Sequence, residues 1–541
     1  MTPEEIIELL LSRRKIVDIQ SFLNPPHPLT FSLSALGFDV ELKILIDKIQ
    51  SCKDKKSTIV IYTDYDADGI TGGTILWETL HHLGLSVYPY VPHRQKEGYG
   101  FSIKGIDAVI AKYHPELIIS VDHGISARDQ IQYASDKGIS VIVTDHHTKP
   151  LLLPTAAKAL IHCPLVSGSG LAYITALDIW RHFDPKNDVL KKLFTYDFLA
   201  LASLGTIADL VPLTGYSRSI AKYGLHAFSR ATKPGIRELL AVSGLSDSEI
   251  SAYHAGFALA PRINAVGRLS HAIEAVRMLC TKDSAKAKLL AHEAQTYNLE
   301  RQKMVDGAIE TAFISIEKTS LPKLIIEKNK DWNEGIIGLI SSKITERYRR
   351  PSIVMTKTED GWKGSARSVK GFDITAFLRS LGILKHVGGH PQAGGFSIND
   401  AELSDFENKI GLHMQEVPEP KEKELFVDMN IPFRCISEKL VDLLQQLTPF
   451  GIGNPTPIFQ SSVNVLFVNV MGKKKEHFKL VCQDTGDRSK QLECIYFSPG
   501  AEQKDLLKVG SRLSISYTVD AQYWQGKRQL KCFIKVVERV I

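Results

Sequence analysis

The chain has 541 residues, with 66 Lys and Arg against 60 Asp and Glu and a formal charge of +6. Its 44% hydrophobic and 23% charged residues are ordinary for a globular protein and exclude a disordered, collagen-like or coiled-coil chain. At about 100–200 residues per domain, this length predicts three or four domains, each large enough to bury its own core.

The pattern of the first residues and the spacing of the cysteines both predict a protein of a reducing compartment. The first fifteen residues, MTPEEIIELLLSRRK, lack the basic and apolar regions of a secretion signal. No run of about 18 uncharged apolar residues predicts a membrane span. The seven cysteines are widely spaced and form no CxxC pair, which argues against a disulfide framework and a thiolate zinc site. We therefore expect a cytoplasmic protein without membrane contact.

Short apolar runs alternate with helix-length stretches in the first half of the chain, after an N-terminal extension of residues 1–40. Such alternation is typical of βαβ units and a parallel sheet, and it predicts an α/β domain over 41–230 with a buried helix near 196–211. The runs that predict its strands are 57–62, 85–91, 116–121 and 139–144.

A helical connector is predicted for residues 231–318, with one long helix over 271–318 because Ala, Lys, Glu and Gln recur there without Pro. A second, glycine-rich α/β domain is predicted over 319–415. The polar stretch 416–424 reads as a linker that opens the last domain.

The last domain, residues 416–541, has the pattern of a small β-barrel. Residues 421–541 carry 18 basic and 13 acidic side chains, which suits a polyanion but also an ordinary solvated face. Five strands with one short helix fit an OB-like barrel, and any other small antiparallel barrel fits the pattern equally well. The strand-like runs are 463–470, 477–483, 491–497, 512–519 and 529–537.

Acidic and imidazole side chains follow three predicted strands of the first domain. They lie in residues 64–68, 122–123 and 145–147, and Asp209 adds an acid inside an apolar run. Taken singly, each could cap a helix or turn the chain. Ligands of open parallel sheets bind beyond the carboxyl ends of the strands, so these groups can converge in one crevice.

Mixed carboxylate and imidazole ligands without thiolates suit Mn²⁺, with Mg²⁺ as the alternative. Two such ions, typically ~3.5–4 Å apart, would provide a hydroxide nucleophile and stabilise charge on a phosphate. Asp122, on a central strand, is the predicted bridging carboxylate. No G-x-x-x-x-G-K-[ST] motif occurs, so an ATP-driven motor is not indicated.

These motifs resemble the DHH phosphoesterase superfamily, and within it the RecJ family of single-strand-specific 5′→3′ DNA exonucleases. Together they extend over roughly residues 57–460, and nine of them occur in order. The motifs are DYDADG (64–69), VDHG (121–124), TDHH (144–147), GTIAD (205–209), VPHR with EGYG (91–100), APRINAVGRL (260–269), GSARS (364–368), GGHPQAGG (388–395) and FGIGNP (450–455).

The resemblance implies a DHH domain, a long connecting helix, a DHHA1-like second α/β domain and a C-terminal OB-like barrel. It also implies two divalent cations, Mn²⁺ or Mg²⁺, and roles for particular residues of these motifs. The implied metal ligands are Asp66, Asp68, Asp122, His146 and Asp209. The implied catalytic residues are Asp64, a ligand or its partner, and His147, which contacts the scissile phosphate or assists proton transfer.

Phosphate-binding residues are implied in the same way. Arg268 would clamp the scissile phosphate, and His390 would complete the cleft between the two α/β domains. Arg94, Ser365 and Arg367 would bind a terminal 5′-phosphate, which suits the planar fork of arginine. For the arginines, interdomain salt bridges or loop caps are the structural alternative.

The function that the resemblance implies is release of 5′-mononucleotides from single-stranded DNA in repair and recombination, with a single-strand-binding protein and a helicase as partners. In the barrel, Tyr523, Trp524, Lys527 and Arg528 are candidate strand-binding residues, whereas Tyr517 is expected in the core. Two alternatives stay open: a DHH phosphatase or nanoRNase for short oligonucleotides, and a catalytically silent binding protein. Asn333 stands where the family commonly has His, which leaves the role of that position open.

Overall fold

The structure, a computed structural model, describes residues 1–541 except 94–96, 98–99, 319, 420–424, 473–474, 525–526 and 541. Three β-sheets follow one another along the chain, and each has its own hydrophobic core. Among the described residues, no helix combines the length and the apolarity that crossing a bilayer requires.

The first sheet is parallel throughout, as the βαβ pattern predicts, and its strand order is β2-β1-β3-β4-β5. Its strands are β1 (Ile59–Thr63), β2 (Val87–Tyr90), β3 (Leu117–Val121), β4 (Ser140–Asp145) and β5 (Ala159–His162). Every residue of β1, β3 and β4 is buried because helices cover both faces of the sheet. The carboxyl ends of these three neighbouring strands therefore share one edge.

Helices surround this sheet and continue into the connector. The predicted buried helix near 196–211 is confirmed as Asp197–Ala208. The helices are α1 (Pro3–Arg13), α2 (Ile19–Leu23), α3 (Asp39–Lys55), α4 (Ala67–His82), α5 (Ile103–Tyr113), α6 (Arg128–Asp136), α7 (Gly168–Phe183), α8 (Asp188–Thr195), α9 (Asp197–Ala208), α10 (Gly215–Ala227), α11 (Pro234–Val242), α12 (Ala260–Leu269), α13 (Ile273–Cys280) and α14 (Ser284–Ile316), with a π-helical turn at His254–Leu259 before α12.

The long connecting helix is confirmed as α14, which has 33 residues, but its predicted start at residue 271 is wrong. The chain forms the separate helix α13 and then breaks at Thr281, whose backbone is extended. Asp283 caps α14 because its side chain accepts hydrogen bonds from the N–H groups of Ala285 and Lys286. The Ala- and Lys-rich pattern continues across this break, so composition alone does not show it.

The second sheet has the order β6-β7-β8-β10-β9. Only the β6–β7 pair is parallel, so this α/β domain has a mixed sheet. Its strands are β6 (Ile325–Lys328), β7 (Ser352–Thr358), β8 (Gly361–Arg367), β9 (His386–His390) and β10 (Ala393–Ile398), and its helices are α15 (Ile337–Tyr348), α16 (Ile374–Ser380) and α17 (Leu403–Leu412).

The third sheet has the order β11-β12-β13-β14-β16-β15, and pairing of β12 with β15 closes it into a barrel. All five predicted strands are present, and the barrel core contains Tyr517, as expected. The elements are β11 (Met429–Asn430), α18 (Glu438–Gln446), β12 (Phe459–Met471), β13 (His477–Asp484), β14 (Gln491–Phe497), α19 (Ala501–Leu506), β15 (Arg512–Trp524) and β16 (Lys527–Arg539).

The N-terminal segment packs on this barrel, although the sequence predicts only an extension for residues 1–40. The apolar face of α1 belongs to the barrel core through four buried residues, Ile6, Ile7, Leu10 and Leu11. The Arg14 guanidinium pairs with the Asp428 carboxylate at 3.1 Å just before β11. The two ends of the chain therefore form one unit.

A loop of the C-terminal domain also contacts the first domain. The buried Arg218 donates to the carbonyl oxygens of Leu447 and Thr448 at 3.0 and 3.1 Å. Nearby, the backbone N–H of Leu213 donates to the carbonyl oxygen of Ile452 at 2.7 Å. These contacts hold the barrel beside the segment that follows α9.

Candidate metal centre

The first acidic motif lies between β1 and α4. Asp66 caps α4, because its side chain accepts hydrogen bonds from the N–H groups of Asp68 and Gly69, each at 3.0 Å. An acid that follows a strand can serve only to cap the next helix. Asp66 caps α4 and also belongs to a group of side chains that could hold a metal ion.

Asp68 is oriented by the N-terminus of α7. Its two carboxylate oxygens accept from the N–H groups of Gly168 at 2.7 Å and Ser169 at 2.9 Å. A Cβ on Gly168 would lie 2.3 Å from Asp122 Oδ1, so only glycine allows α7 to approach both acids. Gly168 was not among the predicted site residues, because glycine carries no chemical group that marks it.

Asp122 has a left-handed backbone conformation with φ +67° directly after β3. This turn brings its Oδ1 within 3.1 Å of His146 Nε2, and the same nitrogen lies 3.3 Å from Asp209 Oδ2. Asp68 Oδ2 is 3.9 Å from that nitrogen. Three acids from separate segments thus surround one imidazole nitrogen.

The structure brings all seven predicted ligand and catalytic side chains of the first domain together. In each of three overlapping groups, ligand atoms lie within 4.8 Å of one another. The groups are Asp64, Asp66 and Asp122; Asp68, His146 and Asp209; and Asp122, His146 and His147. The carboxylate of Asp122 has two oxygens and could contribute to two neighbouring cation sites, whereas the single Nε2 of His146 could ligate only one.

The crowding of these acids shifts their pKa values upward. Burial, reinforced by the neighbouring charges of Asp68 and Asp66, raises the pKa of Asp122 well above its ordinary value and that of Asp209 to about 9. Burial also lowers the pKa of His146. Protons or cations must therefore neutralise this cluster.

The orphaned atoms of the cluster show that it fits divalent cations. Asp122 Oδ1 and His146 Nε2 are buried and 3.1 Å apart, but neither atom forms a hydrogen bond with the other or with another described residue. A carboxylate oxygen and an imidazole nitrogen are both metal ligands, and burying them unpaired is costly.

Asp145 orients His147, although it was not among the predicted site residues. Its Oδ1 lies 2.8 Å from His147 Nδ1, and its Oδ2 accepts from the N–H of Ile125 at 2.8 Å. Burial opposes protonation of His147, but the hydrogen bond to Asp145 and the charges of Asp145, Asp209 and Asp64 together outweigh it and raise the pKa of the imidazole to about 9. The sequence shows that Asp145 and His147 are close along the chain. That the Asp145 carboxylate orients the His147 ring is visible only in the structure.

The second α/β domain faces this cluster across a cleft. The rings of His147 and His390 stack with centroids 5.6 Å apart and planes 7° apart. Arg268 Nη1 donates to the carbonyl oxygen of Gly335 at 2.7 Å, at the junction of the two domains. Arg367 Nη1 lies 3.2 Å from Ser365 Oγ. Arg94 lies outside the described residues.

Asn333, which stands in place of the commoner His, has a turn role. Its Oδ1 accepts from the N–H of Gly335 at 2.7 Å. It therefore shapes the loop whose carbonyl oxygen receives Arg268.

The proposed strand-binding residues of the barrel lie at the β15–β16 hairpin. The side chains of Tyr523, Trp524 and Lys527 are outside the described part of the chain. The Arg528 guanidinium pairs with Asp442 and lies 3.8 Å from Glu438, both on α18. A strand-binding role for these four residues stays a prediction.

We expect Mn²⁺ affinity to rise with pH from 6 to 8, because the raised pKa values of Asp122 and Asp209 mean that protons must leave before a cation binds. Isothermal titration in buffers of different ionisation enthalpy measures the protons released. An affinity that is flat with pH would contradict the protonated state of these acids. The matched control is Asp209→Asn, which should release fewer protons.

A parallel sheet whose strand ends gather carboxylates and imidazoles opposite a second α/β domain is the arrangement expected of the DHH class of proteins. Three family models match the chain in order: "DHH family, N-terminal domain" over residues 58–206, "DHHA1 domain" over 321–414 and "RecJ OB domain" over 427–536. They confirm the predicted DHH, DHHA1-like and OB-like domain types.

The chain belongs to the RecJ family. It is 33% identical to the single-stranded-DNA-specific exonuclease RecJ of Bacillus subtilis over 91% of its own length, and it spans 63% of that relative. It is 30% identical to the Escherichia coli protein of the same name, over 88% of this chain and 86% of that one. The resemblance seen in the motifs is thereby confirmed.

Solved structures share this fold. RecJ of Thermus thermophilus in complex with Mn²⁺ aligns with a TM-score of 0.83 at 24% identity, over 99% of this chain and 76% of that one. An exonuclease RecJ bound to manganese aligns with a TM-score of 0.61 at 29% identity, over 70% and 96% of the two chains.

Proposed function

We propose that this protein is a metal-dependent exonuclease that degrades single-stranded DNA from the 5′ end and releases 5′-mononucleotides, in DNA repair and recombination. The observation that carries this proposal is the cluster of acids around His146 Nε2, which, like Asp122 Oδ1, forms no hydrogen bond with any described residue. Family membership supports the choice of single-stranded DNA as substrate.

The residues that would hold two divalent cations, Mn²⁺ or Mg²⁺, are Asp66, Asp68, Asp122, His146 and Asp209. The ions would neutralise the cluster, polarise a phosphodiester and lower the pKa of an attacking water. A relative at 29% identity is bound to manganese, which supports Mn²⁺.

The other side chains bind the phosphate and move protons. Asp64 would be a further ligand or would orient the other ligands, because it lies in one group with Asp66 and Asp122. Its Oδ1 accepts a hydrogen bond from the N–H of Tyr65 at 2.7 Å. His147, held protonated by Asp145, can donate a hydrogen bond or a proton to the reacting phosphate. Arg268 and His390 would bind that phosphate from the other side of the cleft.

Exonuclease polarity would follow from a pocket for the terminal phosphate. Ser365 and Arg367 lie two residues apart on β8, beside the N-terminal turn of α15: a Cβ on Gly338 would lie 3.1 Å from Ser365 Oγ and 3.1 Å from Arg367 Nη2. Arg94 is the proposed third member of this pocket.

The Arg367→Gln variant should reduce the preference for a 5′-phosphorylated strand over a 5′-hydroxyl strand by about 10–100-fold, because a charge-assisted hydrogen bond contributes about 1.5–3 kcal/mol. The measurement compares kcat/KM on the two strands. Arg350→Gln is the control, since Arg350 is half-buried and donates to the carbonyl oxygen of Pro322. An unchanged preference would place the 5′-phosphate elsewhere.

A time course on 5′-phosphorylated, 3′-labelled single strands, with and without EDTA, tests the whole proposal. We expect Mn²⁺-dependent shortening from the 5′ end and little action on duplex DNA. Hydrolysis restricted to dinucleotides would favour the small-substrate phosphatase, and binding without hydrolysis would favour the silent relative.

Partners and location complete the proposal. A single-strand-binding protein and a helicase are proposed partners, supported by the family resemblance alone. A cytoplasmic location is supported by the seven cysteines, all of which are free thiols.

A further inference from the structure

The FGIGNP motif (450–455) forms a compact loop of the C-terminal domain, here called the FGIGNP loop, which has no role in the proposed reaction. Gly451 and Asn454 exchange two backbone hydrogen bonds of 2.9 and 3.1 Å. The buried Asn454 also donates from Nδ2 to the carbonyl oxygens of Leu447 and Pro449, at 2.8 and 2.9 Å. These hydrogen bonds give the loop one defined shape.

One side of the FGIGNP loop packs on the first domain just after α9. The backbone N–H of Leu213 donates to the carbonyl oxygen of Ile452 at 2.7 Å. A Cβ on Gly451 would lie 2.8 Å from Leu213 Cδ1. A Cβ on Gly453, whose φ is +77°, would lie 3.1 Å from Pro212 Cβ. Both glycines therefore permit a close approach that a larger residue would prevent.

Arg218 on α10 fixes the same segment at its far end. Its side chain is buried, and its guanidinium donates to the carbonyl oxygens of Leu447 and Thr448 at 3.0 and 3.1 Å. The stretch of chain that follows Asp209 is therefore attached to the C-terminal domain twice, at Leu213 and at Arg218.

Asp209 is a proposed metal ligand that its immediate surroundings hold only weakly. Asp66 and Asp68 each accept two backbone hydrogen bonds, whereas no backbone N–H of a described residue donates to the Asp209 carboxylate. Its side chain is 24% exposed, against 1% for Asp68 and 2% for Asp122. Asp209 also stands at the C-terminal end of α9, where the helix dipole disfavours a negative charge. Its position therefore depends on the backbone around it.

The turn directly after Asp209 is strained. Leu210 has φ +60°, a left-handed conformation that bulky residues rarely adopt. Such a conformation persists only where the surrounding structure holds it. The side chain of Leu210 is 65% exposed, so its own packing contributes little. In the described chain, the first backbone–backbone hydrogen bond after this turn is the one from Leu213 to Ile452.

We propose that the FGIGNP loop positions Asp209 for cation binding, so that docking of the barrel completes the metal centre. This inference rests on the proposed function, in which Asp209 is a metal ligand. The helix α9 fixes the backbone on one side of Asp209, because the Asp209 N–H donates to the carbonyl oxygen of Gly205 at 2.9 Å, and the loop fixes it on the other. A displaced loop would let the carboxylate leave the ligand cluster. By linkage, a bound cation should in turn hold the loop against Leu213.

The first test uses Gly451→Val in the full chain, because the valine side chain would overlap that of Leu213 and displace the loop. Mn²⁺ binding is measured by isothermal titration without DNA, so that contacts between the barrel and a strand do not contribute. We expect Mn²⁺ affinity to fall about tenfold, as it does when groups that orient metal ligands are lost. Adding Leu213→Ala removes as many carbon atoms as valine adds, so the double variant should recover most of the affinity.

Gly486→Val is the matched control, since it is the same substitution in a turn of the same domain. A Cβ there would lie 3.5 Å from its nearest neighbour, Asp484 Oδ1, which is an ordinary contact. This variant should bind Mn²⁺ with wild-type affinity. Cleavage of single-stranded DNA by Gly451→Val should recover at high Mn²⁺ concentration, which a misfolded protein would not show.

Hydrogen exchange of the wild type, followed by mass spectrometry, gives a second readout that needs no variant. Mn²⁺ should slow amide exchange in residues 210–214 and 447–455 more than in β13 and β14, which make none of these contacts. Equal slowing in all these regions would show only the overall stabilisation that a ligand gives to the native state.

The inference is overturned if Gly451→Val folds and binds Mn²⁺ with wild-type affinity, or if Leu213→Ala does not restore the affinity that Gly451→Val loses. Equal slowing of exchange overturns it as well, and this result decides alone if Gly451→Val does not fold. Failure of the proposed function gives a different result: a wild type that binds no Mn²⁺ or shows no Mn²⁺-dependent cleavage.

Discussion

Asp122→Asn should lower kcat on single-stranded DNA by on the order of 10³-fold, because charge stabilisation by the cations is worth several kcal/mol. Asp122 belongs to two of the three ligand groups, so its loss affects both. Asparagine tolerates the left-handed backbone at this position better than alanine does, which keeps the turn intact. Mn²⁺ affinity should fall together with kcat.

The same variant should not destabilise the metal-free protein. Burial and neighbouring acids raise the pKa of Asp122, so replacing its carboxylate by an amide relieves repulsion. We expect an equal or higher Tm in EDTA. Asp178→Asn is the control: this buried acid accepts from the Leu33 N–H at 2.7 Å, so the variant should lower Tm and retain activity. Normal cleavage by Asp122→Asn would refute the bridging role.

His147→Asn should lower kcat by about 10²–10⁴-fold, the usual contribution of general acid–base catalysis. The imidazole stacks on His390 at the mouth of the cleft, where a phosphate would lie. The five proposed ligands Asp66, Asp68, Asp122, His146 and Asp209 remain, so Mn²⁺ affinity should change less than kcat does. His82→Gln, whose imidazole lies 3.7 Å from Glu78 outside the site, is the control.

Asp145→Asn tests how the protonated state of His147 is maintained. The hydrogen bond and the charge of Asp145, together with the charges of Asp209 and Asp64, hold the pKa of His147 at about 9 against burial, so removing the Asp145 carboxylate should lower that pKa. If the reaction needs the protonated imidazole, the rate should then decline at a lower pH than in the wild type. An unchanged pH–rate profile would limit Asp145 to a structural role.

Much of the site could be predicted because its chemistry lies at strand ends. The patterns over 57–62, 116–121 and 139–144 predict buried parallel strands, and the acids and histidines follow them directly. The structure places Asp66, Asp122 and His146 together for this reason. The start of α14 could not be predicted, because capping by Asp283 depends on one local hydrogen-bond pattern inside a uniformly helical composition.

The sequence by itself determined the class of chemistry, since the residue types after each strand allow cation and phosphate binding, and it determined the family. Only the tertiary structure decided that the N-terminus of α7 orients Asp68, that Asp145 holds His147, and that α1 completes the barrel core. The physical reason is that these contacts join segments that are far apart in the sequence. Periodicity shows which face of a helix or strand is apolar, but the partner of that face depends on how distant segments pack together.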